Sequence, residues 1–259
     1  MIKFSHLHIH SHYSLLNALP KIKDLVARAK KYDMSALALT DNGNMYATIK
    51  FYQECLKQGI KPIIGVDFYV ALKTRRDKRS GIDNRSTRLI LLAKNEIGYK
   101  NLIKLVSKSF LEGFYYRPRI DRELLEEYKE GLICIMPHFS GDVSRALQIN
   151  DFERAKEITD WYKQNFTDFY LEITHHPEIE GQLELKKKII DFSKSEKIPL
   201  VASQDVYYLD LEDKKARDIL MSIQSSNSRQ RNEKENFSFI KTACKPSNLI
   251  LRALFPHFF

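Results

Sequence analysis

The chain has 259 residues, of which 43% are hydrophobic and 11% aromatic, so it can bury a full core and general disorder is excluded. Its net charge of +9 is typical of a protein with a phosphate-bearing partner, although a solvated lysine-rich surface gives the same balance. Three cysteines without a CxxC pair argue against a disulfide framework. No apolar run reaches the roughly 18 residues of a membrane span, and without a leader-like N-terminus we expect a cytoplasmic protein with no membrane partner.

The first predicted strand, residues 4–10, concentrates the histidines of the chain. Side chains alternate across a strand, so we expect His6, His8 and His10 to share one face. With His12, this stretch holds half of the eight histidines. Imidazole is a common metal ligand, so the spacing favours a metal site if ligands from elsewhere complete it; the alternative is a polar strand face with satisfied imidazoles.

Short apolar runs and helical spacing alternate along the rest of the chain. Buried strands are predicted after the first at 36–40, 62–70, 89–93, 131–137, 169–174 and 198–203. Helices are predicted at 20–32, 45–58, 102–110, 124–125, 151–166, 182–196 and 212–224. The basic insert at 73–88 is predicted to be an exposed loop because it is too charged to pack.

Seven buried strands, most of them followed by a helix, predict parallel βα units of the α/β fold class, and closure into a barrel would cover every strand edge. In such barrels the chemistry lies at the C-terminal ends of the strands. The candidates at those ends are His8, His10, Asp41, Asp67, His138, His175, His176 and Asp205. Their convergence on one rim favours a divalent-metal site over a polar rim that holds no ion.

Five segments, at 8–16, 38–44, 59–65, 91–95 and 113–121, together resemble one family. They are similar to the N-terminal PHP (polymerase and histidinol phosphatase) domain of bacterial DNA polymerase III alpha subunits, the C-family replicases, over residues 1–240. The 113–121 loop separates the chain from stand-alone histidinol phosphatases. The resemblance implies a distorted seven-stranded (β/α) barrel, similar to a TIM barrel, whose rim holds up to three metal ions and hydrolyses phosphoesters, in some members as a 3′→5′ exonuclease.

The resemblance assigns one metal ion to His8, His10, Asp67 and Asp205, a set that is complete in residue type. Asp67 stands where the family usually has Glu, and the missing methylene shortens its reach by roughly 1.3 Å. We therefore expect at least one site that suits a divalent ion such as zinc, manganese or iron, although it need not be filled.

The other two ligand sets that the resemblance implies are degenerate. The second shares Asp67 and adds His138, but Arg88 takes its remaining histidine position, and a guanidinium cannot ligate a cation. Arg88 would instead place a positive charge where the ion would be. The third set is expected to be lost, because its positions hold weak ligands: Asn17, Asn42 and Tyr207.

Further roles are expected from the same resemblance and from the charge. Asp41 and His176 are the catalytic candidates: Asp41 could orient a ligand imidazole and His176 could lie on the substrate side, or each could be an ordinary hydrogen-bonded loop residue. The basic loops predict contacts with DNA phosphates through Arg75, Arg76, Arg79, Arg117 and Arg119.

Two functions remain open at this point. The lost ligands favour a PHP module that serves the replicase as a scaffold, with DNA, the polymerase module or a proofreading exonuclease subunit as partners. The alternative is a metal-dependent phosphoesterase or 3′→5′ exonuclease acting on DNA ends. No polymerase palm follows residue 240, so we expect a truncated domain or gene fragment, with a divergent apolar tail at 241–259 that docks on the barrel or on a partner.

Overall fold

A computed structural model describes residues 4–176 and 179–225. The domain boundary expected at 240 and the tail at 241–259 lie outside the described residues. The strands are β1 (His8–Ile9), β2 (Ala36–Leu39), β3 (Lys61–Ala71), β4 (Ser86–Ala93), β5 (Arg119–Ile120), β6 (Leu132–Met136), β7 (Phe169–Ile173), β8 (Leu200–Ala202) and β9 (Asp205–Val206). The helices are α1 (Ile22–Lys31), α2 (Thr48–Gln58), α3 (Glu96–Leu111), α4 (Arg122–Glu127), α5 (Asp142–Gln148), α6 (Phe152–Asn165), α7 (Gln182–Glu196) and α8 (Lys214–Ser225), and a 3₁₀ turn (Leu211–Asp213) precedes α8.

The strands curl into a barrel, which confirms the predicted fold class. One sheet has the order β2-β3-β4-β6-β7-β8, with β5 paired to β3, and β1 pairs with β9 in a second sheet. Backbone bonds join β1 to β2, since the amide of Thr40 donates to the carbonyl of Ile9 at 2.8 Å. Only residues 203 and 204 separate β8 from β9. These two segments therefore form one interrupted strand of the barrel wall, which has seven strand positions in all.

Strand β4 corrects the expectation of an all-parallel barrel. It runs antiparallel to both neighbours, β3 and β6, whereas the remaining ladders are parallel. A hairpin-like return replaces the helix that would be needed for a parallel crossover. Because of this reversal, the first residues of β4 lie at the end of the barrel where the parallel strands finish, and Arg88 pairs in register with Tyr69.

Strict alternation along the long strands builds two apolar layers. Leu89 and Leu91 of β4 pack in the core between the sheet and the helices, whereas Ile90 and Leu92 pack in a cluster inside the barrel. A second outer core lies under α1 and α2. These layers hold the strands rigidly, so the side chains at their ends have fixed positions.

The basic segment 73–88 is the predicted exposed loop over most of residues 73–85, but not throughout. Residues 86–88 begin β4, and the side chains of Arg75 and Asp83 are buried. Arg75 pairs with Asp121, and Arg119 of β5 donates to backbone carbonyls of the segment. Charged side chains pack here because every buried charge meets a carboxylate or carbonyl partner.

Three short elements, β5, β9 and α5, were absent from the sequence prediction. Elements of two and seven residues carry too few periodic positions to be distinguished from loops. Within the described part of the chain, no helix combines the length and the hydrophobicity that a bilayer crossing requires.

Candidate metal centre

Three donor groups meet at one end of the barrel: two come from β1 and the residue that follows it, and one from the middle of β3. Nε2 of His8 lies 3.4 Å and Nε2 of His10 lies 3.3 Å from Oδ2 of Asp67. All three residues are buried, and their ligand atoms lie within 4.8 Å of one another. A tetrahedral ion with bonds of about 2.0–2.2 Å holds its ligands roughly 3.3–3.6 Å apart. The donor types and these spacings therefore fit one divalent ion.

Asp205, the fourth residue expected in this set, lies beside the group without belonging to it. It stands opposite His8 in the parallel β1–β9 ladder. Burial raises the pKa of the Asp205 carboxyl to about 7. The structure thus brings together three of the four expected ligands and places the fourth on the adjacent strand.

Glu172, which the sequence analysis missed, orients His8. It lies in the middle of β7 with its side chain buried, and Nδ1 of His8 lies 3.0 Å from Oε1 of Glu172. The amide of His138 donates to its other oxygen at 3.2 Å. A carboxylate on Nδ1 fixes the tautomer that leaves Nε2 free for a metal ion. The available signal was a lone acidic residue inside an apolar strand.

Arg88 contacts both oxygens of the Asp67 carboxylate, including the Oδ2 that faces His8 and His10. Its Nε donates to Oδ1 of Asp67 at 2.9 Å, and its Nη2 bonds Oδ2 of Asp67 and Oδ1 of Asn42. The guanidinium also lies 4.0 Å from the ring centroid of Tyr69. A fixed cation therefore sits on the carboxylate at the position of a lost histidine ligand.

The charges of the group depend on one another. Burial by itself raises the pKa of Asp67, yet the Arg88 guanidinium and the bonds to His10 and His8 hold that pKa well below its usual range. Burial alone would lower the pKa of His8, but Glu172 and Asp67 outweigh it and raise that pKa to about 10. Burial lowers the pKa of His10 to about 4. Without an ion, the His8 imidazolium and Arg88 balance the two carboxylates.

Tyr207 and Asn17, two further degenerate positions, contact a second arginine. The ring of Tyr207 stacks on His10, with centroids 4.2 Å apart and planes 8° apart. Arg217 of α8 lies 4.3 Å from the Tyr207 centroid and donates from Nε to the carbonyl of Asn17 at 3.1 Å. The sequence analysis did not single out Arg217, because nothing in a helical pattern marks which arginine turns inward.

Comparison with known proteins places this geometry in a family. The model of the PHP domain matches residues 6–176. The chain belongs to the PHP domain family. This PHP domain is 49% identical over 224 residues to the DNA polymerase III subunit alpha of Borreliella burgdorferi, covering 85% of the chain and 19% of that protein. It is 38% identical over 260 residues to the DNA polymerase III subunit alpha of Treponema pallidum, covering 99% of the chain and 22% of that protein.

The chain thus spans about a fifth of the length of these relatives. Among solved structures, a candidate metal-dependent phosphoesterase from Bifidobacterium adolescentis superimposes with a TM-score of 0.53 at 12% identity, covering 80% of this chain and 88% of that one. At that identity the likeness establishes the barrel fold of the PHP domain and nothing about its chemistry.

Two histidines of the PHP domain do not join the donor group as the sequence suggested. His6 is not part of the donor group, and its ring meets Phe4 edge-on at 4.8 Å. His138 accepts a bond from the Thr174 amide on Nδ1 at 3.1 Å. Neutral His138 therefore carries its proton on Nε2, which disfavours metal binding there.

The two catalytic candidates are buried in the PHP domain. Asp41 accepts bonds from the amide of Ser11 at 2.7 Å, from its hydroxyl at 2.8 Å and from the hydroxyl of Ser14 at 2.6 Å. It therefore fixes the loop after β1 and does not orient a ligand imidazole. The ring of His176 lies 6.0 Å from that of Phe139, and its assignment to the substrate side stays a prediction.

The structure corrects two of the five expected DNA contacts. Arg75 and Arg119 are 2% and 1% exposed, and both guanidinium groups bond protein acceptors, so neither is available to a phosphate. Arg76 and Arg79 are exposed and pair with Glu123 and Asp83. Arg117 is half-buried and donates to the Tyr69 hydroxyl at 2.7 Å.

Proposed function

We propose that this chain is a PHP domain of a bacterial DNA polymerase III alpha subunit that holds a single divalent ion and serves replication as a structural module. His8, His10 and Asp67 would hold the ion, and Asp205 would complete the set. The single observation that carries the proposal is the Arg88 guanidinium on Asp67 and Asn42.

The position of Arg88 argues against efficient hydrolysis. Two-metal phosphoester hydrolysis uses ions that share a bridging ligand and stabilise both the attacking and the leaving oxygen. Asp67 would be that bridge, but both of its carboxylate oxygens accept from Arg88. A guanidinium offers positive charge without a coordination site for water. When bound, a single ion would supply charge and rigidity to the rim, and Glu172 would hold His8 toward it.

Metal analysis of the purified chain tests this proposal. After dialysis against zinc, manganese or iron(II), we expect about one ion per chain, since one donor set is intact. The variant His8→Ala/Asp205→Ala should retain none. His12→Ala is the matched control, because it removes an exposed histidine outside the donor group and should leave the stoichiometry unchanged. Circular dichroism checks that each variant is folded.

The alternative function is a metal-dependent phosphoesterase or 3′→5′ exonuclease acting on DNA ends. The intact donor set and the metal-dependent phosphoesterase description of a protein with the same fold favour it. Two or more ions per wild-type chain would contradict the single-ion proposal and favour this alternative. A chain that takes up no ion would leave only the structural role, as part of an assembly with the remaining polymerase module or a proofreading subunit.

DNA contact is a separate part of the proposal and rests on Arg76, Arg79 and Arg117. If these arginines displace counterions from phosphates, the logarithm of the binding constant for a primer–template should fall linearly with the logarithm of salt concentration. The Arg76→Gln/Arg79→Gln variant should reduce that slope by about one to two. Arg154→Gln, at an exposed position of α6, is the control. A binding constant independent of salt would contradict the proposal.

A further inference from the structure

The two histidines of the donor group are oriented by different means. Nδ1 of His8 has Glu172 as its partner at 3.0 Å. Nδ1 of His10 is buried and has no hydrogen-bond partner among the described residues. A ligand imidazole usually donates from its second nitrogen to a carboxylate, carbonyl or water, and that bond fixes the ring. His10 lacks such a bond on Nδ1, so apart from the contact of Nε2 with Asp67 its plane is held by packing.

Tyr207 supplies that contact. Its ring lies nearly parallel to the imidazole of His10, with centroids 4.2 Å apart and an interplanar angle of 8°. A flat ring at this distance blocks rotation of the imidazole about the bond to Cβ, because any turn drives ring atoms into the neighbouring face. Stacking thus fixes the plane of the ring, in addition to the contact of Nε2 with Oδ2 of Asp67 at 3.3 Å.

Arg217 contacts the Tyr207 ring and holds it in place. Its guanidinium lies 4.3 Å from the Tyr207 centroid, and Nε donates to the carbonyl of Asn17 at 3.1 Å. Arg217 is 5% exposed and is the one buried side chain of α8 over residues 214–223. The ring quadrupole attracts an arginine that lies over the face of an aromatic ring, and more strongly when the pair is desolvated. The same residue therefore anchors α8 and clamps Tyr207.

We propose that Tyr207 and Arg217 are positioning residues for His10 and couple helix α8 to the ion site. The proposal rests on the single-ion site proposed above. Displacement of α8 would withdraw Arg217, loosen Tyr207 and free the imidazole of His10. By linkage, ion binding would strengthen the docking of α8 to the same extent that docked α8 strengthens ion binding.

Nuclear magnetic resonance of the chain labelled with ¹³C at histidine Cε1 tests the positioning without any metal. The His10 signal, identified by its loss in His10→Gln, should show an upfield ring-current shift in the wild type. Tyr207→Phe should keep that shift, since the stack persists. Arg217→Gln, which leaves the tyrosine in place, should reduce it by at least half, and Arg217→Lys should give an intermediate value.

A matched control separates this effect from general loosening of the segment. Arg28 also ties the chain before α8 to the barrel, by bonds to Asp210 at 2.6 and 2.9 Å, and it lies on α1. Arg28→Gln should leave the His10 signal unchanged. Glu172→Gln should shift the His8 signal and leave that of His10 in place, because Glu172 acts on the other ligand.

Cobalt(II) titration followed by visible absorption measures the consequence for ion binding. Arg217→Gln should weaken cobalt binding about ten-fold, Tyr207→Phe and Arg28→Gln less than two-fold. An unchanged His10 signal in Arg217→Gln would overturn the proposal, as would unchanged cobalt affinity in that variant. If the wild type binds no cobalt, the proposed ion site fails, and the metal-free His10 signals alone decide whether Tyr207 and Arg217 position this ring.

Discussion

Replacing Asp67 by asparagine should destabilise the metal-free chain by about 3–5 kcal/mol. The substitution keeps the shape of the side chain but removes the charge that faces the Arg88 guanidinium. The Arg88 side chain is only 14% exposed, so water does not replace the lost carboxylate. An unpaired buried charge is more costly than the loss of both partners, because it keeps its desolvation penalty without the attraction. Urea unfolding in the presence of a chelator measures the change.

Two further variants test whether the broken Asp67–Arg88 ion pair, and not any substitution at residue 67, causes the loss of stability. Asp67→Asn/Arg88→Met removes both charges and places an apolar chain on Tyr69, so it should recover more than half of the lost stability. Asp168→Asn breaks the surface pair with Lys94 and should cost less than about 1 kcal/mol. A double variant that loses the sum of both single effects would contradict the pairing argument.

The sequence predicted most strands of the barrel well because each of them coincides with a short apolar run. The runs at 36–40, 62–70 and 169–174 correspond to β2, β3 and β7 with boundary shifts of one residue at most. The direction of β4 could not be predicted, since an apolar run reads the same for a parallel and an antiparallel strand. The burial of Arg75 inside the basic segment could not be predicted either, because its partners, Asp121 and Arg119, lie more than 30 residues further along the chain.

The donor group was predictable in part for a related reason. His8 and His10 lie two residues apart, so their convergence follows from local geometry, and the resemblance supplied Asp67. Glu172 and Arg217 reach the site from β7 and α8. The only local signal for Glu172 is its place as a lone acidic residue in an apolar strand, and no local pattern marks Arg217. The same spacing did not bring His6 into the donor group. Local spacing therefore identified ligands, whereas the residues that orient them required the fold.

The second large effect is expected at Arg119, where Arg119→Lys should cost about 3–5 kcal/mol. The guanidinium donates to the carbonyls of Gly113, Asp83, Arg75 and Asp77 at 2.7–3.1 Å. Bonds from a charged donor contribute about 1.5–3 kcal/mol each. Lysine keeps the charge but reaches only one or two of these carbonyls, since its ammonium lacks the planar fork of arginine.

The loss of stability in Arg119→Lys should be confined to the basic segment, because three of the four carbonyls belong to residues 75–83. Hydrogen exchange should therefore accelerate at the amides of Arg79 and Asp83, which bond within that segment, while the amides of β6 and β7 keep their protection. Arg76→Lys, at an exposed arginine of the same segment, should change stability by less than about 0.5 kcal/mol. Equal acceleration throughout the barrel would mean that Arg119 supports the whole domain. Acceleration confined to the basic segment would mean that Arg119 holds that segment in its folded conformation. The buried Arg119 would then also fix the positions of the exposed arginines in the segment.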